Sequence, residues 1–341
     1  MCYNRNIETT GEICFIMILP FTKEHIPAVT ALFNRAAAEE TLYKSMTEEQ
    51  CAAFFLLQKD EGCRKYGFVC WEGEQIIGFS SGCTSADGRT GYITYVYVMP
   101  EWRGKGLGRA LTEALEEKLW DTAEKVDIVF YNPMQIPWWI PGTGQKHDHP
   151  CAPGVDMSGP AFLFFKRLGY RCFAYQNSYY QNLENYAYPA DILQKIENLR
   201  QADIEVTYYN RQVHTGLAEL FDDLNNPGWK QAILANDALG DAARPLLVAV
   251  HGGKTVCGYT GPLSVSSEGR GCFHGIGVHH EYRQHGAGKV LFSTLCTALR
   301  EQGAAFMSLY TGEDNPARNI YEAAGFKIVR SWADMRKIRR K

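Results

Sequence analysis

The chain has 341 residues, 45% of them hydrophobic and 21% charged, with a formal net charge of −3. That length favours two domains of roughly 100–200 residues, each able to bury its own core. The charge balance gives no general attraction to nucleic acid, and no window approaches the roughly 18 consecutive apolar residues of a membrane span, so a cytoplasmic protein is expected.

Residues 1–16 are too short and too weakly basic for a secretory signal, and Met17 is expected to be the natural start. The spacing of Ile26, Val29, Leu32 and Phe33 is helical over 24–38. Thr47 with Gln50 forms a capping box that opens a second helix. Strands are expected at 66–71 and 76–83 across a hairpin at 72–74, then at 92–99 and 126–131. The stretch 133–160 carries six of the 14 prolines with Trp138, Trp139, His147, Asp148, His149 and Cys151. His147, Asp148, His149 and Cys151 have metal-binding chemistry, but without a separated second ligand pair no metal is assigned. The preferred reading is a loop covering a pocket, with the two tryptophans as apolar walls. Strands close the first half at 170–180, and 186–203 is a helical connection. In the second half, 204–209, 246–250, 256–263, 272–278, 306–310 and 326–335 read as strands, and 213–224, 229–239 and 316–323 as helices. The basic tail Arg336-Lys337-Ile338-Arg339-Arg340-Lys341 reads as a solvated end. Eleven cysteines, none in a Cys-x-x-Cys pair, suit reduced thiols.

One arrangement occurs twice. Ile276, Gly277 and Val278 lie on a short apolar strand, followed by the loop Arg283-Gln284-His285-Gly286-Ala287-Gly288-Lys289 and a helix whose apolar positions are Ala287, Val290, Leu291, Leu295, Ala298 and Leu299. Val96, Tyr97 and Val98 precede Arg103-Gly104-Lys105-Gly106-Leu107-Gly108-Arg109 in the same way, with Leu107, Ala110, Leu111, Ala114, Leu115 and Leu119 on the helix. Gly106 and Gly286 are 180 positions apart (286 − 106), as are Gly108 and Gly288; this is an internal repeat. Glycines let a backbone approach a ligand closely, and amides at a helix start face an anion with the favourable end of the dipole, so both loops read as phosphate sites. A second segment also repeats: Pro316-Ala317 with Tyr321 and Gly325-Phe326 matches Pro160-Ala161 with Phe165 and Gly169-Tyr170, offset by 156 (321 − 165). The first half holds 24 more residues between the two motifs, 61 against 37.

Both loops read Arg-x-x-Gly-x-Gly/Ala, and with the second motif the chain resembles the GNAT acetyltransferase superfamily over about 17–332, as two tandem domains. The resemblance implies an α/β fold with a mixed sheet: an N-terminal GNAT domain at 17–185 with the insertion 133–160, a connecting segment at 186–203, and a C-terminal GNAT domain at 204–341. It implies acetyl-CoA as co-substrate, held by the two loops, by the strand residues before them and by Asn315. An amine of a small molecule or peptide is the implied acceptor. Tyr321 matches the family's proton donor to the departing thiolate, whereas phenylalanine at 165 cannot donate and Gly159 stands where Asn315 does. The second half is therefore expected to be catalytic. His274, placed by strand alternation on the face of Ile276 and Val278, is the candidate base. Two rivals are a catalytic first half and a non-catalytic acetyl-CoA-binding module; the oligomeric state is open.

Overall fold

Alternating strands and amphipathic helices build two units in the computed structural model, which describes residues 3–9, 12–40, 42–57, 63–143, 146–149 and 153–339. One unit is Met1–Gln176 with Arg330–Lys341, the other Asn177–Val329. Both divisions fall inside strands and not in the 186–203 connection.

In the first unit, β1 (Tyr3–Thr9) and β2 (Glu12–Pro20) form a hairpin with Tyr3 opposite Ile18. Helix α1 (Ile26–Glu40) buries Val29, Leu32, Phe33 and Ala36. Helix α2 (Glu48–Phe55) begins where Thr47 and Gln50 exchange side-chain-to-backbone bonds of 3.2 and 2.9 Å, the reciprocal satisfaction that the capping box supplies. Strands β3 (Lys65–Glu72), β4 (Gln75–Thr84) and β5 (Thr90–Val98) pair antiparallel. Opposite a bulge in β5 at Thr94, a Cβ on Gly82 of β4 would lie 2.4 Å from the Tyr92 carbonyl oxygen, so glycine is required. Helix α3 (Leu107–Leu119) carries the chain to β6 (Lys125–Ile128), parallel to β5.

The insertion has short pieces of its own. Strand β7 (Trp138–Trp139) pairs with β8 (Asp148–His149), and β9 (Val155–Asp156) follows. Trp138 is not a pocket wall: it is fully buried, with its ring centroid 5.3 Å from Trp332 and 6.4 Å from Phe130. Helix α4 (Pro160–Arg167) leads into β10 (Arg171–Asn182).

The second unit runs through α5 (Ala190–Gln201), β11 (Ile204–Tyr208), α6 (Leu217–Asp223), α7 (Pro227–Asp237), β12 (Leu247–His251), β13 (Thr255–Thr260), β14 (Arg270–Gly271), β15 (Ile276–Val278), α8 (Ala287–Glu301), β16 (Phe306–Gly312) and α9 (Arg318–Ala323); β17 (Lys327–Ile338) begins in it and from Arg330 onward belongs to the first unit. Strands β11, β12, β13 and β15 make one antiparallel sheet, while β14 lies parallel to β16, which neighbours β10. Helix α8 is the centre of the core, burying Phe292 and Cys296 as well as the expected apolar face.

Two expectations change. Residues 272–278 are not one strand, because Gly275 has φ +122° and separates β14 from β15. The basic tail is not a solvated end either. Its Arg336 and Lys337 lie on β17, which pairs with β6 in the first unit; Arg336 holds Asp127 through two bonds of 2.7 and 2.8 Å, and Lys337 reaches Glu116 at 2.7 Å. Paired carboxylates thus help to fix the chain end as a strand inside the sheet, between β6 and β10. Arg340 and Lys341 lie outside the described residues.

Candidate active site

Two strands with one free edge define the site. Directly after β15, His279 N donates to Cys257 O at 2.9 Å, and within the strand the register places Tyr259 opposite Gly277. Bonded and non-bonded pairs alternate in an antiparallel ladder, so the amides and carbonyls of Ile276 and Val278 face away from β13. Among the described residues no strand pairs with that edge, since β16 pairs with β10 and β14 and not with β15. The first unit repeats the design: Met99 N donates to Ile77 O at 2.9 Å, Phe79 opposes Tyr97, and β6 pairs with β5 only at Thr90–Tyr92. Val96 and Val98 therefore present their amides to an open edge.

Beyond each strand an arginine turns back onto it. Arg283 Nε donates to Val278 O at 3.0 Å, and Arg103 Nε to Val98 O at 2.8 Å. The loops end at Gly286 (φ +79°) and Gly106 (φ +83°), left-handed residues that cap α8 and α3; Lys289 N donates back to Gly286 O at 3.0 Å, and the amides of Ala287 and Gly288, like those of Leu107 and Gly108, have no backbone acceptor among the described residues. A side chain at either position would be strained. Electrostatics distinguish the two loops. Arg103 is already held by Glu40 at 2.7 Å and lies over the Tyr97 ring, and Arg109 lies 3.6 Å from Glu113. Arg283 has no carboxylate partner among the described residues, and the aliphatic stem of Lys195 on α5 passes 3.5 Å from the position of a Cβ on Gly286. The two loops thus differ in that Arg283 lacks, among the described residues, the carboxylate partner that Arg103 has.

The distant repeated motif folds onto each loop. A Cβ on Gly288 would meet Ile320 at 3.2 Å, and one on Gly108 would meet Phe164 at 3.4 Å; the next residue in each case is the compared one, Tyr321 or Phe165. The Tyr321 ring lies 4.9 Å from Phe292, 5.8 Å from Phe273 and 6.0 Å from Tyr179. Burial, then the nearby Tyr179, pushes its pKa up to about 12, so the hydroxyl keeps its proton at neutral pH. Among the described residues that hydroxyl has no hydrogen-bond partner.

The profile of the Acetyltransferase (GNAT) family matches residues 28–132 and again 209–326. The chain belongs to the GNAT family. Its GNAT architecture is shared with solved structures at low identity. A GCN5-related glucosamine N-acetyltransferase region of a fungal multi-domain GH3 β-N-acetylglucosaminidase aligns at TM-score 0.63 and 17% identity over 96% of this chain, which spans 39% of that one. A GCN5-related N-acetyltransferase from Sphaerobacter thermophilus aligns at 0.60 and 15%, covering 95% of each chain. A tandem GNAT protein from the clavulanic acid biosynthesis pathway aligns at 0.56 and 17%, covering 95% of this chain and 98% of the other. No protein of curated function matches the sequence. The protein is accordingly a GNAT-type acyltransferase with two tandem GNAT units, and none of its described helices is long and apolar enough to cross a membrane.

Not every candidate joins this GNAT site in the way the sequence implies. His274 lies in the irregular 272–275 segment, so strand alternation does not fix its facing. Its Nε2 is 2.9 Å from Ser264 Oγ, and packing, with Arg244 and Arg270 nearby, holds its pKa below 6.5. Asn315 Oδ1 accepts from Ala317 N at 3.0 Å and so caps the turn before α9. Of the 133–160 cluster, Asp148 pairs with Lys44 at 3.0 Å, and Cys151 lies outside the described residues. Leu224 and Trp229 were missed by sequence reasoning: a Cβ on Gly277 would lie 2.4 Å from Leu224, and one on Gly275 would lie 3.1 Å from Trp229. Glycine at both positions was the available signal.

Proposed function

We propose that the protein is an N-acetyltransferase that moves the acetyl group of acetyl-CoA to an amine of a small molecule or peptide, with the reaction in the second unit. The observation that carries the assignment is the conjunction, within that unit, of β15's free edge, the uncapped amides of α8 beside an uncommitted Arg283, and a protonated Tyr321 whose α9 packs on the same loop. The coenzyme diphosphate would rest on the amides at Ala287 and Gly288, with Arg283 and Lys195 supplying charge. Outward amides at Ile276 or Val278 would polarise the thioester carbonyl and hold its oxyanion. The neutral amine then attacks the carbonyl carbon and loses its proton to a base, for which neutral His274 is the candidate; the C–S bond breaks and the Tyr321 hydroxyl gives its proton to the leaving thiolate. Tyr321 recovers a proton from solvent. Leu224 and Trp229 wall one side of β15 and favour an acceptor with apolar surface next to its amine.

The first unit supports coenzyme binding by the same backbone design, but has phenylalanine at 165 and an arginine already engaged by Glu40. A thiol-release screen over an amine panel, followed by Tyr321→Phe and Arg103→Ala on the best acceptor, tests the assignment. Loss of turnover in Tyr321→Phe with retention in Arg103→Ala is expected. The reverse pattern places catalysis in the first unit, and coenzyme binding with no thiol release for any amine makes the protein a binding module.

A further inference from the structure

Where α6 ends and the coenzyme loop begins, three side chains meet from two distant parts of the second unit. Asp223 is the last residue of α6; His279 and His280 follow β15 directly. His280 donates its amide to Asp223 Oδ2 at 2.9 Å, and its Nδ1 is hydrogen-bonded to Asp223 Oδ1. His279 Nε2 lies 3.6 Å from the same Oδ1, and the two imidazole rings stack with centroids 4.7 Å apart. Among the described residues this is the group of three ligand-bearing side chains whose donor atoms all fall within 4.8 Å of one another. Burial works against charge on Asp223, but hydrogen bonds from the His280 ring and amide, with His279 beside it, more than offset this and keep the carboxyl ionised.

We propose that Asp223, His279 and His280 form a binding site for a divalent transition metal ion of the zinc class. Two imidazoles and one carboxylate are a nitrogen–oxygen donor set that suits such ions, which bind these atoms at about 2.0–2.2 Å and so need donors roughly 3.3 Å apart. The 3.6 Å separation of His279 Nε2 from Asp223 already approaches that value, and the hydrogen-bonded Asp223–His280 pair has to open only slightly. The His280 side chain is 63% exposed, which gives the ion access from solvent and leaves a coordination position for water. A bound ion would tie the end of α6 to the stretch that leads to Arg283 and Gly286, stabilising the second unit and the coenzyme loop together.

The test uses the full-length protein, stripped with chelator and titrated with Co(II), whose visible spectrum reports the ligand type, and with Zn(II) in competition. One equivalent of Co(II) is expected, with a nitrogen–oxygen spectrum lacking thiolate charge transfer. Asp223→Asn and His279→Ala should each weaken binding about 10-fold or more, while His147→Ala with His149→Ala should leave it unchanged. A thiolate band, unaltered binding in Asp223→Asn and His279→Ala, or loss in the His147/His149 variant would overturn the proposal. If either variant unfolds, circular dichroism shows it, and His280→Gln, at the most exposed ligand, decides the question instead.

Discussion

Replacing Tyr321 with phenylalanine removes a single oxygen from a ring that is only 5% exposed. The ring contacts with Phe292, Phe273 and Tyr179 remain, and no protein partner among the described residues loses a hydrogen bond, so the stability change should stay below about 1 kcal/mol. Proton transfer by a positioned side chain contributes about 10²- to 10⁴-fold to rate, or about 3–5 kcal/mol of barrier. The variant should therefore lose at least about 100-fold in kcat while its affinity for acetyl-CoA, held by backbone amides and not by the Tyr321 hydroxyl, changes less than about threefold. Because the pKa lies at about 12, the wild-type hydroxyl stays protonated and should produce no basic limb between about pH 6 and 9. Thiol release at saturating acetyl-CoA measures kcat, and calorimetry measures coenzyme affinity. A variant with kcat within about twofold of wild type would refute the proton-donor role.

Lys195→Ala should weaken acetyl-CoA binding about 3- to 10-fold with little change in kcat; an unchanged dissociation constant would remove Lys195 from the coenzyme site. Gly82→Ala should destabilise the protein by about 3 kcal/mol in denaturant unfolding, because its Cβ meets a backbone oxygen, whereas Gly277→Ala, facing the flexible end of Leu224, should cost about 1–2 kcal/mol. Equal costs would show that the two contacts relax alike. His274 has its pKa held below 6.5, so as the base it is neutral and competent above that value and is lost as pH falls through it. The kcat/KM profile should show an acidic limb below pH 6.5 for an acceptor that titrates elsewhere, and His274→Gln should abolish that limb along with most of the rate; persistence of the limb would exclude His274.

The sequence was most informative where a local constraint acts alone. Gly106 and Gly286 announce left-handed helix caps because few other residues adopt that conformation, and the period of Leu107 to Leu119 follows from a single buried face. Tyr321 and Phe165 could be compared because two motifs kept their spacing. What the residues did not disclose depends on contacts between distant segments. Nothing local in Arg336-Lys337 foretells partners at Asp127 and Glu116, more than 200 positions away, and Trp138 reads alike as a pocket wall or as a core residue until Trp332 is placed against it. Period-two reasoning over 272–278 failed at Gly275, whose positive φ resets the facing of His274. Lys195 belongs to a helix that looked like a connection only, and Asp223 meets His280 across 57 positions.

The most direct test is a structure with acetyl-CoA bound. The thioester carbonyl should accept from the amide of Ile276 or Val278, with its sulfur within hydrogen-bonding reach of the Tyr321 hydroxyl and the diphosphate on Gly286 and Gly288. A coenzyme held only between Val96 and Gly108, with the β15 edge closed, would contradict the account.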